Sequence, residues 1–108
     1  MQNDSKPNRT VFLTLLALSH GAMHGYEISK FIELKSNGFF RVSFGSLYPV
    51  LHKLEADKFV QAKWDAGESL KQKKTYSLTT VGKKALRDEV TQFKSLHNAL
   101  SLLSMESL

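Results

Sequence analysis

His20 and His24 stand four residues apart, the spacing that would set two imidazoles on one helix face over a metal ion. Gly21 falls between them and opens a turn that runs to Gly25, which takes away the helix this geometry needs. No acidic cluster and no second histidine pair joins them, so no metal or other cofactor is expected. The 108 residues contain no cysteine, which excludes disulfides, thiolate zinc sites and thiol nucleophiles within them. Glu27 close to His24 has the makings of an acid/base pair, yet no motif supplies a substrate pocket. No Ser/His/Asp constellation and no phosphate-binding glycine loop is present, and the expectation is no enzyme. The chemistry that remains is non-covalent. Lys71, Lys73 and Lys74 form a cationic cluster suited to phosphate oxygens, where each contact releases counterions. Ser43, Ser46, His52 and Lys53 carry the small polar and basic groups that meet base edges or a phosphate backbone.

These groups need a scaffold, and Ser43–Glu55 supplies part of it. Leu47, Leu51 and Leu54 recur at helical spacing and make one apolar stripe, which leaves Ser46, Pro49, His52 and Lys53 facing outward. Ser43 caps the helix start with its hydroxyl, and the amides near Ser43–Ser46 carry partial positive charge suited to a phosphate. Pro49 removes one backbone hydrogen bond inside this helix. Either the first turn is tight and irregular, or the regular helix starts at Pro49. Tyr48 either packs inward or offers its hydroxyl to a phosphate.

Residues 1–8 are polar and read as a disordered arm. From Arg9 to Ser19 the chain is apolar almost all round, and a helix apolar on every side must be buried on every side. In so small a chain this implies a covering subunit. After the Gly21–Gly25 turn, a second helix over Tyr26–Leu34 turns Ile28, Phe31 and Ile32 inward with Tyr26 beside them, and Asn37-Gly38 stops it, with Gly38 suited to the left-handed conformation. Beyond Asp57-Lys58 the period changes to alternation. Phe59–Asp65 and Thr75–Leu78 read as a β-hairpin whose tip holds the lysine cluster, with Lys63 on the approaching strand. Thr79 caps a last helix that runs to about Ser104. Its stripe of Leu86, Val90, Phe93, Leu96, Leu100 and Leu103 extends further than this domain covers, which makes it a dimerisation surface.

The order helix, helix, helix, β-hairpin, helix is that of an α+β, mainly α winged helix-turn-helix with a long C-terminal dimerisation helix. The expected division is an arm over 1–8, a DNA-binding domain over 9–79 and the dimerisation helix over 80–108. A formal net charge of +5 favours an acidic partner such as double-stranded DNA. No signal peptide and no run of about 18 apolar residues is present, so no membrane association is expected and the cytoplasm, on nucleoid DNA, is the expected location.

Three motifs give the chain a resemblance to the PadR family of bacterial transcriptional regulators, in particular its short members with a single C-terminal helix. His24-Gly25-Tyr26-Glu27-Ile28 is similar to the family's second-helix opening. Gly45-Ser46-Leu47-Tyr48-Pro49-Val50-Leu51-His52-Lys53-Leu54-Glu55 is similar to its recognition-helix signature and is the most specific of the three. Lys74–Gly82 resembles the wing strand running into the last helix. The resemblance implies a homodimeric repressor on a near-palindromic operator, with the first and last helices building the dimer. It also implies a flat aromatic or drug-like effector between the subunits, as in some short members. Phe12, Leu16, Leu86, Val90, Phe93, Leu96 and Leu100 are the residues for that interface or pocket. The wing tip, Ser69-Leu70-Lys71-Gln72, replaces the Gly-Arg-Pro common in the family, and the last helix lacks the tryptophan that some drug-binding relatives stack on. Two other readings are a small-molecule sensor with ligand captured between subunits and a winged-helix module for protein contact.

Overall fold

The computed structural model describes residues 2–3, 7–65 and 73–104. Its elements run β1 (Gln2–Asn3), α1 (Pro7–Leu18), β2 (Met23–His24), α2 (Gly25–Lys35), β3 (Phe40–Arg41), α3 (Phe44–Ala56), β4 (Val60–Trp64), β5 (Lys74–Leu78) and α4 (Thr80–Leu103). Helix α1 begins at Pro7, two residues ahead of Arg9; proline is tolerated there because a first-turn N–H has no helical partner. Strand β1 pairs in parallel with β3, Gln2 opposite Phe40.

The core is built where the three helices meet. Leu13, Leu15 and Leu18 of α1, Ile28 and Ile32 of α2, and Leu47, Val50, Leu51 and Leu54 of α3 are all buried. Thr14 is buried too, and its hydroxyl donates to the Thr10 carbonyl at 2.7 Å, so no polar atom is stranded. Ser29 of α2 donates its hydroxyl to the Val42 carbonyl at 2.6 Å and fixes the segment that leads into α3.

Both helix stops follow the same pattern. After α2, Asn37 (φ 53°) takes the left-handed position and the Gly38 N–H reaches the Glu33 carbonyl at 2.7 Å. Gly38 (φ 77°) is therefore the second left-handed residue of the stop rather than its first. After α3, Lys58 (φ 65°) does what Asn37 does, and the Phe59 N–H bonds the Leu54 carbonyl at 2.9 Å.

The sheet has the order β2-β5-β4, antiparallel throughout, with Met23 opposite Tyr76 and Ala62 opposite Tyr76 from the other side. The Gly21–Gly25 segment is thus not only a turn. Met23 and His24 are a third strand, formed because β5 has a free edge there. Thr79 caps α4, accepting from the Gly82 N–H at 3.0 Å while donating to the Lys58 carbonyl at 2.7 Å. Helix α4 packs through Gly82, Leu86 and Val90, and its later turns project: the molecule measures 57 × 30 × 20 Å. Phe93, Leu96, Leu100 and Leu103 stand exposed along it. Among the described residues no helix is long and apolar enough to cross a membrane.

Candidate nucleic-acid interface

Helix α3 starts at Phe44, so Pro49 lies inside a continuous helix. Proline offers no N–H to the Gly45 carbonyl, which lies on an exposed turn where water can satisfy it. Ser43 caps the helix: its oxygen accepts from the Ser46 N–H at 3.2 Å and its hydroxyl donates to Ser46 Oγ at 3.0 Å. Leu47 and Leu51 are fully buried, which clamps the helix and turns Gly45, Pro49, His52 and Lys53 to solvent, with Ser46 half-buried. Lys53 is 73% exposed and pairs with Asp57 at 3.2 Å, one turn on. A surface pair of this kind is worth little.

Tyr48 is 46% exposed, and its ring lies 5.7 Å from Phe44 and 4.5 Å from His52. The three rings form a ladder at positions i, i+4 and i+8. Phe44 is the member that sequence reasoning missed; helical spacing from Tyr48 was the signal that would have found it. Gly25, at the start of α2, makes room for this ring, since a Cβ there would stand 2.7 Å from Phe44 Cε1. Tyr26 does not turn inward. It is 68% exposed because Ile28 and Ile32 already fill the inward face of α2.

The hairpin approaches the same side. A cleft of about 780 Å³ separates it from α2 and α3, with Tyr26, Phe44, Tyr48, Trp64, Tyr76 and Lys74 among its walls. Lys73 is exposed at the edge of the hairpin. Lys74 is not at the tip. It opens β5, and its ammonium lies 3.1 Å from Glu55 Oε1 on α3, with the Trp64 ring at 5.5 Å and the Tyr76 ring at 5.8 Å. Alternation along β5 explains this, because Lys74 shares a face with buried Tyr76. The Glu55 hydrogen bond raises the Lys74 pKa, and burial raises that of the Tyr76 phenol. Lys71 lies outside the described residues.

His24 and Glu27, adjacent in sequence reading as an acid/base pair, do meet: Nδ1 and Oε1 are 2.7 Å apart. Asp65 joins them from the end of β4, its Oδ2 3.0 Å from His24 Nε2. Sequence gave no hint of Asp65. Among the described residues no group of three His, Cys, Asp or Glu side chains is arranged for a metal ion. Elsewhere in the molecule, Phe12 of α1 and Phe93 of α4 lie with ring centroids 6.2 Å apart. Leu16 and Val90 are half-buried beside the core, and Leu86 is buried in it.

Three packed helices, a capped third helix with a polar outer face, and a basic antiparallel hairpin beside it define a winged helix-turn-helix of the kind that regulators carry. Residues 13–88 match the Transcriptional regulator PadR-like family, and the chain belongs to that family. It is accordingly a transcriptional regulator and not an enzyme. A PadR family transcriptional regulator from Eggerthella lenta is similar at 29% identity, over 90% of this chain and 83% of that one, with a TM-score of 0.72. Bacillus subtilis PadR, solved in complex with operator DNA, is 28% identical with a TM-score of 0.69 over 74% of this chain; the match spans 45% of the Bacillus subtilis chain. A transcriptional regulator from Clostridium thermocellum shares the fold at a TM-score of 0.80 and 19% identity, over 91% of this chain and 92% of that one.

Proposed function

We propose that the chain is a homodimeric repressor that sets α3 in the major groove of a near-palindromic operator and lays its wing on the adjoining backbone. The observation that carries this reading is the outer face of α3. Leu47, Leu51 and Leu54 anchor the helix, and His52 and Lys53 are exposed, His52 beside the neighbouring Tyr48 ring and Lys53 paired with the Asp57 carboxylate. The operator complex of the similar Bacillus subtilis PadR supports it. Ser43 and Ser46 hold the helix start, whose amides suit a phosphate. Tyr48, itself 46% exposed, gives its hydroxyl to the backbone. Lys73, with Lys71, supplies sequence-blind affinity from the wing. Lys74 contributes only after leaving Glu55.

The dimer is built by α1 and α4. The exposed row Phe93, Leu96 and Leu100 is the surface that a second copy covers, with Phe12, Leu16, Leu86 and Val90 beneath it. A two-fold dimer places its reading helices about 34 Å apart, in successive major grooves. The Phe12–Phe93 pair also favours a second role for this seam, capture of a small flat aromatic effector between subunits. The expected location is the cytoplasm, on DNA.

The test is binding to duplex DNA from upstream of the chain's own gene, with random-sequence duplex as competitor. Competitor-resistant binding supports the reading. Weak binding, equal on both DNAs, leaves three readings: an operator elsewhere, a required ligand, or a protein partner for the fold. Calorimetry with a diverse set of planar aromatics tests the effector, and no heat across the set removes it.

A further inference from the structure

We propose that His24 is a positioning residue for the wing, clasping Asp65 at the hairpin base while its ring carries both protons. Both ring nitrogens face carboxylate oxygens, Glu27 Oε1 at 2.7 Å from Nδ1 and Asp65 Oδ2 at 3.0 Å from Nε2. Carboxylates only accept, and a neutral imidazole has one N–H. The imidazolium alone satisfies both contacts. When it loses a proton, the ring keeps one donor, and one carboxylate then faces a lone pair.

The shorter contact is local. Glu27 is three residues from His24 and also accepts the His24 backbone N–H at 2.8 Å. The Asp65 contact spans 41 residues and is the one that gives way. Asp65 is part of the hairpin base. Its N–H donates to the Lys73 carbonyl at 2.8 Å, and its Oδ1 accepts from Thr75 Oγ1 at 3.2 Å. Letting go of Asp65 therefore loosens the end of the hairpin beside Lys73, while the backbone pairing of His24 with Thr75 stays in place.

The other groups on this cleft do not replace the histidine. From the wing, Lys74 is held by Glu55, Lys73 is exposed, and Tyr76 is a neutral phenol at ordinary pH. Among the described residues, Tyr48 of α3 and Tyr26 of α2 line the cleft without a hydrogen bond to the His24 ring. The two carboxylates are the charges in contact with the ring, so the clasp responds to its protonation.

The consequence for DNA rests on the function proposed above. The experiment separates the two. In the free protein, ¹⁵N spectra follow the His24 ring nitrogens and the backbone amides of Asp65, Lys73 and Thr75 between about pH 5 and 8, the range in which imidazoles change charge. In parallel, affinity for a random-sequence duplex is measured at both ends of that range, in a His52→Gln background that silences the imidazole on α3. The clasp predicts that the wing amides shift in step with the ring, and that affinity falls roughly twofold to fivefold as the proton leaves. Asp65→Asn should flatten both responses, because the new amide donates to the neutral ring and keeps the base closed. A ring that titrates while the wing amides stay still overturns the proposal, as does a pH response that survives in His24→Gln. Should His24→Gln not fold, Asp65→Asn decides alone. Coupled amide shifts with no DNA bound at either pH uphold the clasp and remove the DNA reading.

Discussion

The Lys74 ammonium sits 3.1 Å from Glu55 Oε1 and joins the first residue of β5 to the last turn of α3. This bridge ties the hairpin to α3 and, on the function proposed, withholds one cation from the DNA-binding face. Glu55→Gln should release that cation. The expected result is tighter non-specific DNA binding and a steeper dependence on salt, by up to about one unit in the slope of log K against log salt. Unchanged affinity and slope would mean that Lys74 stays inside the cleft without its partner.

The same bridge links stability to alkaline pH. Lys74 and Tyr76 both have raised pKa values in the folded chain. Their contribution is complete below the unfolded values, about 10 for both groups, and is lost as pH rises through the folded ones. Denaturant midpoints of the wild type should therefore drop above about pH 10. Glu55→Gln should show a smaller drop, because a neutral amide holds the Lys74 ammonium less strongly than the carboxylate does.

Gly82 sets how closely α4 approaches the sheet. A Cβ there would stand 2.0 Å from the Phe59 carbonyl oxygen, which is backbone and cannot swing aside. Gly82→Ala should destabilise the fold by about 1–3 kcal/mol, read from urea denaturation. A neutral result would show that α4 shifts freely.

Lys58 holds a left-handed φ of 65° at the end of α3 without being glycine. Lys58→Gly relieves that conformation, at some cost in unfolded-chain entropy, and should stabilise the chain by roughly 0.5–1 kcal/mol. Asn37, in the same position after α2, should gain less from the same change, since asparagine tolerates this region.

Leu96 and Leu100 stand more than half exposed on α4. Aspartate at both should convert a sedimenting dimer into a monomer while the helical signal of the wild type persists. A dimer that survives would place the interface elsewhere.

Much of this was legible in the residues. The helices announced themselves by apolar spacing and by the caps Ser43 and Thr79, which the structure places at the starts of α3 and α4. The long stripe of α4 was readable because its period persists where no neighbour covers it. What escaped was made by distant partners. Strand β2 is two residues with no strand signal of their own, and exists because Tyr76 and Thr75 lie opposite. Asp65 gains its meaning only when the hairpin folds back on His24. Lys74 was readable in principle, since alternation puts it on the face of Tyr76, but its charge pointed to the tip. Tyr26 looked like core by its type, and the fold leaves it outside.

The most direct measurement is the salt dependence of DNA affinity for the wild type and for Lys73→Ala. If α3 and the wing grip DNA together, log K falls steeply with log salt, and Lys73→Ala lowers the slope by about one unit while weakening binding to all sequences alike. A shallow slope in the wild type, unchanged by Lys73→Ala, would contradict the account.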